Sequence, residues 1–134
     1  MERRRRLRLL LDTHALLWWF LDDAALSSSA QAALAHPDAE ISVSAVSGME
    51  IATKFRIGKL PRAAVLAAEF ESMVADEGFA PMAVKLSHAM LAGRLAFAHK
   101  DPFDRLLIAQ ALVENMTLVS NERIFDETGV NRLW

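Results

Sequence analysis

From residue 7 onward the chain alternates short, unbroken apolar runs with longer segments of helical period. Residues 7–11 end in Leu9-Leu10-Leu11 with no polar alternation, so the strand they predict is covered on both faces, as strands of parallel sheets are. Three more strands are predicted over residues 40–44, 81–84 and 116–120. Between them the pattern predicts helices over residues 15–21, 27–35, 44–60, 62–76 and 87–95, and a last one running from Asp104 to Leu112. His36-Pro37-Asp38, Gly58 with Pro61, and Gly78 supply the stops. Strand and helix in alternation predict an α/β domain on a parallel sheet with right-handed crossovers. The aromatic residues Trp18, Trp19 and Phe20 read as core or dimer surface rather than as a platform for bases, His36 as a turn residue, and His88 as a packed helix residue.

A chain of 134 residues has room for one domain with a sizeable core, and no repeat, low-complexity tract or linker divides it. At 53% hydrophobic residues, disorder is excluded as the general state. A net charge of −2 argues against a generic polyanion binder, although local patches can differ in sign from the whole. The absence of cysteine removes disulfides, thiolate catalysis and Cys-type zinc sites, and fits a cytoplasmic protein. Arg3-Arg4-Arg5-Arg6 before a leucine-rich stretch imitates a signal peptide, but Asp12 and His14 interrupt its apolar core. They also break any membrane span, which needs about twenty apolar residues. Residues 1–6 therefore read as a flexible basic leader, with contact to RNA phosphate as the alternative.

Four carboxylates stand where divalent metal is usually held. Asp12 closes the leucine strand, at the edge of a parallel sheet where ligands bind. Asp101 and Asp104 lie one helical turn apart in His99-Lys100-Asp101-Pro102-Phe103-Asp104-Arg105, on one face and at the positive end of the helix dipole. Glu50 falls inside the helix predicted over residues 44–60. Each also has an ordinary reading: Asp12 and Asp101 as helix caps, Asp104 as a first-turn dipole complement, and Glu50 as a surface partner of Lys54 at i,i+4. Asp12 resists its ordinary reading best, because a carboxylate directly after three buried leucines is desolvated unless something compensates it. Hard oxygen donors without Cys or clustered His favour Mg²⁺ or Mn²⁺ over zinc.

The ordered segments Leu10-Leu11-Asp12-Thr13-His14-Ala15-Leu16-Leu17-Trp18, Ser44-Ala45-Val46-Ser47-Gly48-Met49-Glu50-Ile51, His99 to Ala111, and Leu118-Val119-Ser120-Asn121-Glu122 together resemble the PIN-domain ribonucleases, and more narrowly the VapC-type toxins of bacterial toxin-antitoxin pairs. The resemblance runs from the first strand to near the end of the chain. It implies a three-layer α/β/α domain with a central parallel sheet of four to five strands and an acidic pocket that binds Mg²⁺ or Mn²⁺ and hydrolyses RNA. Asp12, Glu50 and Asp104 match the core acidic positions, and Asp101 an accessory one. Met49 stands where relatives commonly have tryptophan, a packing difference. Relatives often have aspartate after the fourth strand, where this chain has Asn121-Glu122, so the resemblance offers Glu122 as a longer fourth ligand and Asn121 as a substrate contact.

In that reading the carboxylates hold one or two ions, about 4 Å apart if two, which activate water for in-line attack on a phosphodiester. Thr13 either donates to a ligand carboxylate or caps a helix. Lys100 and Arg105 either reach substrate phosphate or remain ordinary solvated cations. The resemblance also implies a homodimer neutralised by a cognate antitoxin, with no membrane association. Two other classes compete: a phospho-receiver domain, which needs a mid-chain strand-terminal Asp and a late Lys that the chain lacks, and a non-catalytic RNA- or protein-binding module that keeps the fold.

Overall fold

A computed structural model describes residues 7–134, so the basic leader expected over residues 1–6 lies outside the described residues. The sheet contains five parallel strands in the order β3-β2-β1-β4-β5, formed by Arg8–Leu11 (β1), Glu40–Ser44 (β2), Ala80–Met82 (β3), Thr117–Val119 (β4) and Arg132–Leu133 (β5). β1 is central: Leu9 sits between Ile41 and Thr117, and Leu11 between Val43 and Val119.

The leucine run makes sense once both faces are covered. Pleating sends Leu9 and Leu11 to one side and Leu10 to the other. Leu9 and Leu11 join a core with α1 (Thr13–Phe20), α2 (Ser28–Ala35), Ile51 of α3 (Ala45–Arg56), α4 (Ala64–Ala68) and α5 (Phe70–Asp76). Leu10 joins a second core with Leu107, Ile108 and Ala111 of α7 (Pro102–Val113), which packs beside α6 (Leu86–Arg94). These are the three layers expected, helices on both sides of one sheet.

Several boundaries differ from the sequence reading. The helix expected over residues 62–76 is a 3₁₀ turn at Pro61–Ala63 followed by α4 and α5, divided at Glu69, whose φ of −122° and ψ of 29° leave helical space. The second piece is thereby set so that Phe70 lies against Gly48 of α3; a Cβ at Gly48 would approach the Phe70 ring to 3.2 Å. The strand expected over residues 81–84 is shorter and shifted, at Ala80–Met82 on the sheet edge. β5 has two residues, too few for any periodicity to register, and is tied in by Leu118 N–H donating to Asn131 O at 2.8 Å and Ser120 N–H donating to Leu133 O at 3.2 Å.

Trp18, Trp19 and Phe20 pack against the first core, with Trp19 and Phe20 each 6.2 Å from the Phe79 ring. His88 is fully buried, its Nδ1 accepting from Lys85 N–H and its Nε2 bonded to Glu114. His36 Nδ1 accepts from Asp38 N–H within a turn. No described helix is long and apolar enough to cross a membrane.

Candidate active site

Asp12 continues the sheet for one more step, its N–H donating to Val119 O at 3.1 Å, and then turns the chain into α1. Its Oδ1 accepts from Ala15 N–H at 2.7 Å, so it is a strand-end carboxylate and a helix cap at once. Only 4% exposed, it takes a further bond from the buried Ser120 hydroxyl at the end of β4. Burial wins over both bonds and pushes its pKa up to about 6.

Glu50 faces inward from α3 and is 3% exposed. The i,i+4 partnership with Lys54 exists, through Oε2, but it is not a surface pair. Oε1 is buried with no partner at all. An orphaned carboxylate oxygen in a folded interior is a position that a donor or a cation can satisfy.

α7 delivers the other two carboxylates. Asp101 caps it, Oδ1 accepting from Phe103 N–H at 2.8 Å and Asp104 N–H at 3.3 Å, with Pro102 at the first helical position. Asp104, half-buried, bonds through Oδ2 to His99 Nε2 at 2.7 Å. Its pKa is raised, first by burial and then by the neighbouring charges of Asp101 and Glu50, against the lowering effect of His99. Asp104 and Asp12 also repel each other. Ligand atoms of His99, Asp101 and Asp104 lie within 4.8 Å of one another.

Three elements thus bring Asp12, Glu50 and Asp104 into electrostatic range, with Asp101 beside them. Among the described residues, His99, Asp101 and Asp104 form the group whose ligand atoms are close enough to share one ion, while Asp12 and Glu50 stand in electrostatic range of Asp104. Carboxylates with raised pKa and one orphaned oxygen are chemistry that suits a hard divalent cation. Sequence with this fold is matched by the PIN domain family model over residues 9–131. The chain belongs to the PIN domain family.

Similar folds occur in the crystal structures of VapBC2 from Rickettsia felis bound to a DNA fragment from their promoter (TM-score 0.68, 14% identity, covering 95% of this chain and 98% of that one) and of VapBC-5 from Mycobacterium tuberculosis, a member of the VapBC family of toxin-antitoxin systems (0.63, 15%, 94% and 97%). FitAcB from Neisseria gonorrhoeae is also similar (0.59, 15%, 94% and 96%). No curated protein matches the chain.

The remaining sequence-derived site residues fall unevenly around this PIN acidic cluster. Thr13 does not cap α1; its hydroxyl pairs with Ser47 of α3 at 3.0 Å, in buried surroundings, and ties the Asp12 turn to the Glu50 helix. Lys100 and Asn121 are exposed. Glu122 is exposed as well, and neither Asp12 nor Asp104 feels its charge among its principal influences. Arg105, half-buried, turns its guanidinium to the backbone. Its guanidinium donates to the carbonyls of Ala92, Leu95, Phe97 and His99 at 2.7–3.1 Å, because the approach to α7 folds back over it.

Ser47, Ser120 and His99 were not foreseen as site residues. Ser120 was accessible in principle: once β1 and β4 are neighbours in the register Leu11 opposite Val119, the first residue after β4 lies beside Asp12. His99 stood inside the acidic motif but had no local signal separating it from a loop histidine.

Proposed function

We propose that this PIN domain is a metal-dependent endoribonuclease, acting as the toxin of a toxin-antitoxin pair. The observation that best supports cleavage is the buried, unpartnered Glu50 Oε1 facing a cluster that already holds raised-pKa carboxylates at Asp12 and Asp104. Gln110 Oε1 is likewise buried without a partner, but it belongs to a neutral amide; for an ionisable carboxylate the orphaned oxygen is the costlier one.

In this reading Asp12, Glu50 and Asp104 hold Mg²⁺ or Mn²⁺, with Asp101 accessory and Glu122 reaching in from outside. The bound cation supplies a water of lowered pKa and charge stabilisation on the phosphodiester. The chain's own residues fix the carboxylates. Ser120 and Ala15 N–H orient Asp12, Lys54 holds one oxygen of Glu50, and the Thr13–Ser47 pair sets the spacing of α1 and α3. No side chain need act as nucleophile, and in this reading Lys100, which is exposed, would meet RNA phosphate.

An antitoxin partner is favoured by the VapBC and FitAcB folds together with one surface feature. An open apolar groove of about 700 Å³ runs between α3 and α5, lined by Met49, Phe70, Val74 and Met82. Met49, adjacent to Glu50, is 64% exposed within it. A second copy of the chain is proposed as the other partner.

The test is cleavage of a mixed tRNA and hairpin-RNA pool by purified protein in Mn²⁺ or Mg²⁺ against EDTA. Activity with metal and none in EDTA supports the reading; no cleavage of any pool member by folded, metal-loaded protein favours a non-catalytic binding module. Within an active preparation, Asp101→Asn and Glu122→Gln are each expected to lower the initial rate by about tenfold, the low end of the range for a supporting contact. A loss at Asp101→Asn as deep as at Asp104→Asn would erase the division between core and accessory positions.

A further inference from the structure

We propose that His99 is the positioning residue for Asp104, and that the loop before α7 is built to hold it there. This rests on Asp104 being a metal carboxylate, as proposed above. Three features converge on the imidazole. Its Nε2 lies 2.7 Å from Asp104 Oδ2, and since an ionised carboxylate only accepts, Nε2 carries the proton and donates. The ring is fixed by aromatic neighbours: stacked on Phe97 at 5.5 Å with 29° between planes, and edge-on to Phe125 at 5.8 Å. Phe97 and Phe125 are themselves buried in the second core and meet edge to face at 6.4 Å.

The backbone is fixed from the other direction. Arg105 Nη1 donates to Phe97 O at 2.7 Å and His99 O at 3.1 Å, Nη2 to Leu95 O at 2.8 Å, and Nε to Ala92 O at 2.9 Å. Arg105 follows Asp104 directly, so one turn of α7 carries both the carboxylate and the guanidinium that sets the backbone of the histidine bonded to it. A loop histidine with no task would not need its ring and its carbonyl fixed independently.

Tethering Oδ2 restricts rotation of the Asp104 carboxylate and leaves Oδ1 as the untethered oxygen for a cation. Outer partners of ligating carboxylates commonly set metal affinity in this way. Nε2, donating to Oδ2, has no lone pair for the cation; direct ligation would need Nδ1, and a nitrogen coupling to the metal would reveal it.

The test measures Mn²⁺ binding directly, by electron paramagnetic resonance titration of the full chain without RNA. His99→Phe keeps a ring to stack on Phe97 and Phe125 and removes the donor; His99→Gln returns a donor at similar reach. His99→Phe is expected to weaken Mn²⁺ binding roughly 10- to 100-fold, and His99→Gln to recover most of that loss. Wild-type affinity in His99→Phe, or equal loss in both variants, would overturn the proposal. So would a strong nitrogen coupling to Mn²⁺ in the wild-type spectrum, which would put His99 on the metal and requires no variant to fold. A protein that shows the expected Mn²⁺ dependence yet cuts no RNA would sink the ribonuclease function and leave the role of His99 standing.

Discussion

Asp12→Asn is expected to make the metal-free protein more stable at neutral pH while removing RNA cleavage. The folded carboxylate titrates near 6 instead of 3.8, because burial disfavours its charge. With the folded pKa raised, its contribution favours the fold below the unfolded value of about 3.8 and is lost as pH rises towards 6. At pH 7 the ionised group costs about 3 kcal/mol. Asparagine removes the charge and keeps an oxygen for Ala15 N–H, so the cap survives. Its new amide must find a partner, which leaves a net gain of about 1–2 kcal/mol and a rise of several degrees in Tm in EDTA. The gain should be larger at pH 7.5 than at pH 5, where wild-type Asp12 is mostly protonated. Cleavage, by contrast, should fall roughly 10²- to 10³-fold, the loss of a few kcal/mol of metal-borne charge stabilisation at about 1.4 kcal/mol per tenfold. Added Mn²⁺ should raise the wild-type Tm more than that of the variant, since a ligand stabilises only the state that binds it. A destabilised variant, or one that cuts RNA at close to the wild-type rate, would remove Asp12 from the site. Asp104→Asn should lose cleavage similarly but gain less stability, being less buried and bonded to His99.

The features legible in the sequence are those that leave a local trace. An unbroken leucine run followed by Asp12 is one, because a strand covered on both faces and a carboxylate at its end occupy adjacent positions. Asp101-Pro102 before an apolar helix is another, since the cap and the fixed φ of proline are properties of neighbours. Glu50 was legible only in part. Its pairing with Lys54 follows from i,i+4 spacing, but whether that pair faces solvent depends on what α3 packs against, and the structure buries it. What escaped is non-local or too short. β5 has two residues and exists because β4 offers it a free edge. The division at Glu69 brings Phe70 to Gly48, 22 positions away in the chain, and no spacing rule records that. Ser120 reaches Asp12 across the sheet, Ser47 reaches Thr13 between helices, and His99 is defined by rings from two separate segments.

Arg105 is where the sequence reading and the structure diverge most in consequence, and Arg105→Lys separates them. A cation beside metal carboxylates reads as a phosphate contact, yet this guanidinium donates to the carbonyls of Ala92, Leu95, Phe97 and His99. Lysine keeps the charge but is a point donor on a flexible stem, without the planar fork that spans several acceptors. Each charged hydrogen bond contributes about 1.5–3 kcal/mol, and the losses overlap because one group makes them all. Arg105→Lys is therefore expected to lose about 2–4 kcal/mol in urea unfolding, seen as a lower midpoint at unchanged slope. Mn²⁺ affinity should fall with it, because the freed loop no longer sets His99 against Asp104. A phosphate contact predicts the opposite pattern: unchanged stability, unchanged Mn²⁺ affinity, and a raised KM that the retained lysine charge partly rescues. Unfolding and Mn²⁺ titration on the same preparation decide between the two, because a contact made only to substrate has no means of destabilising the free protein.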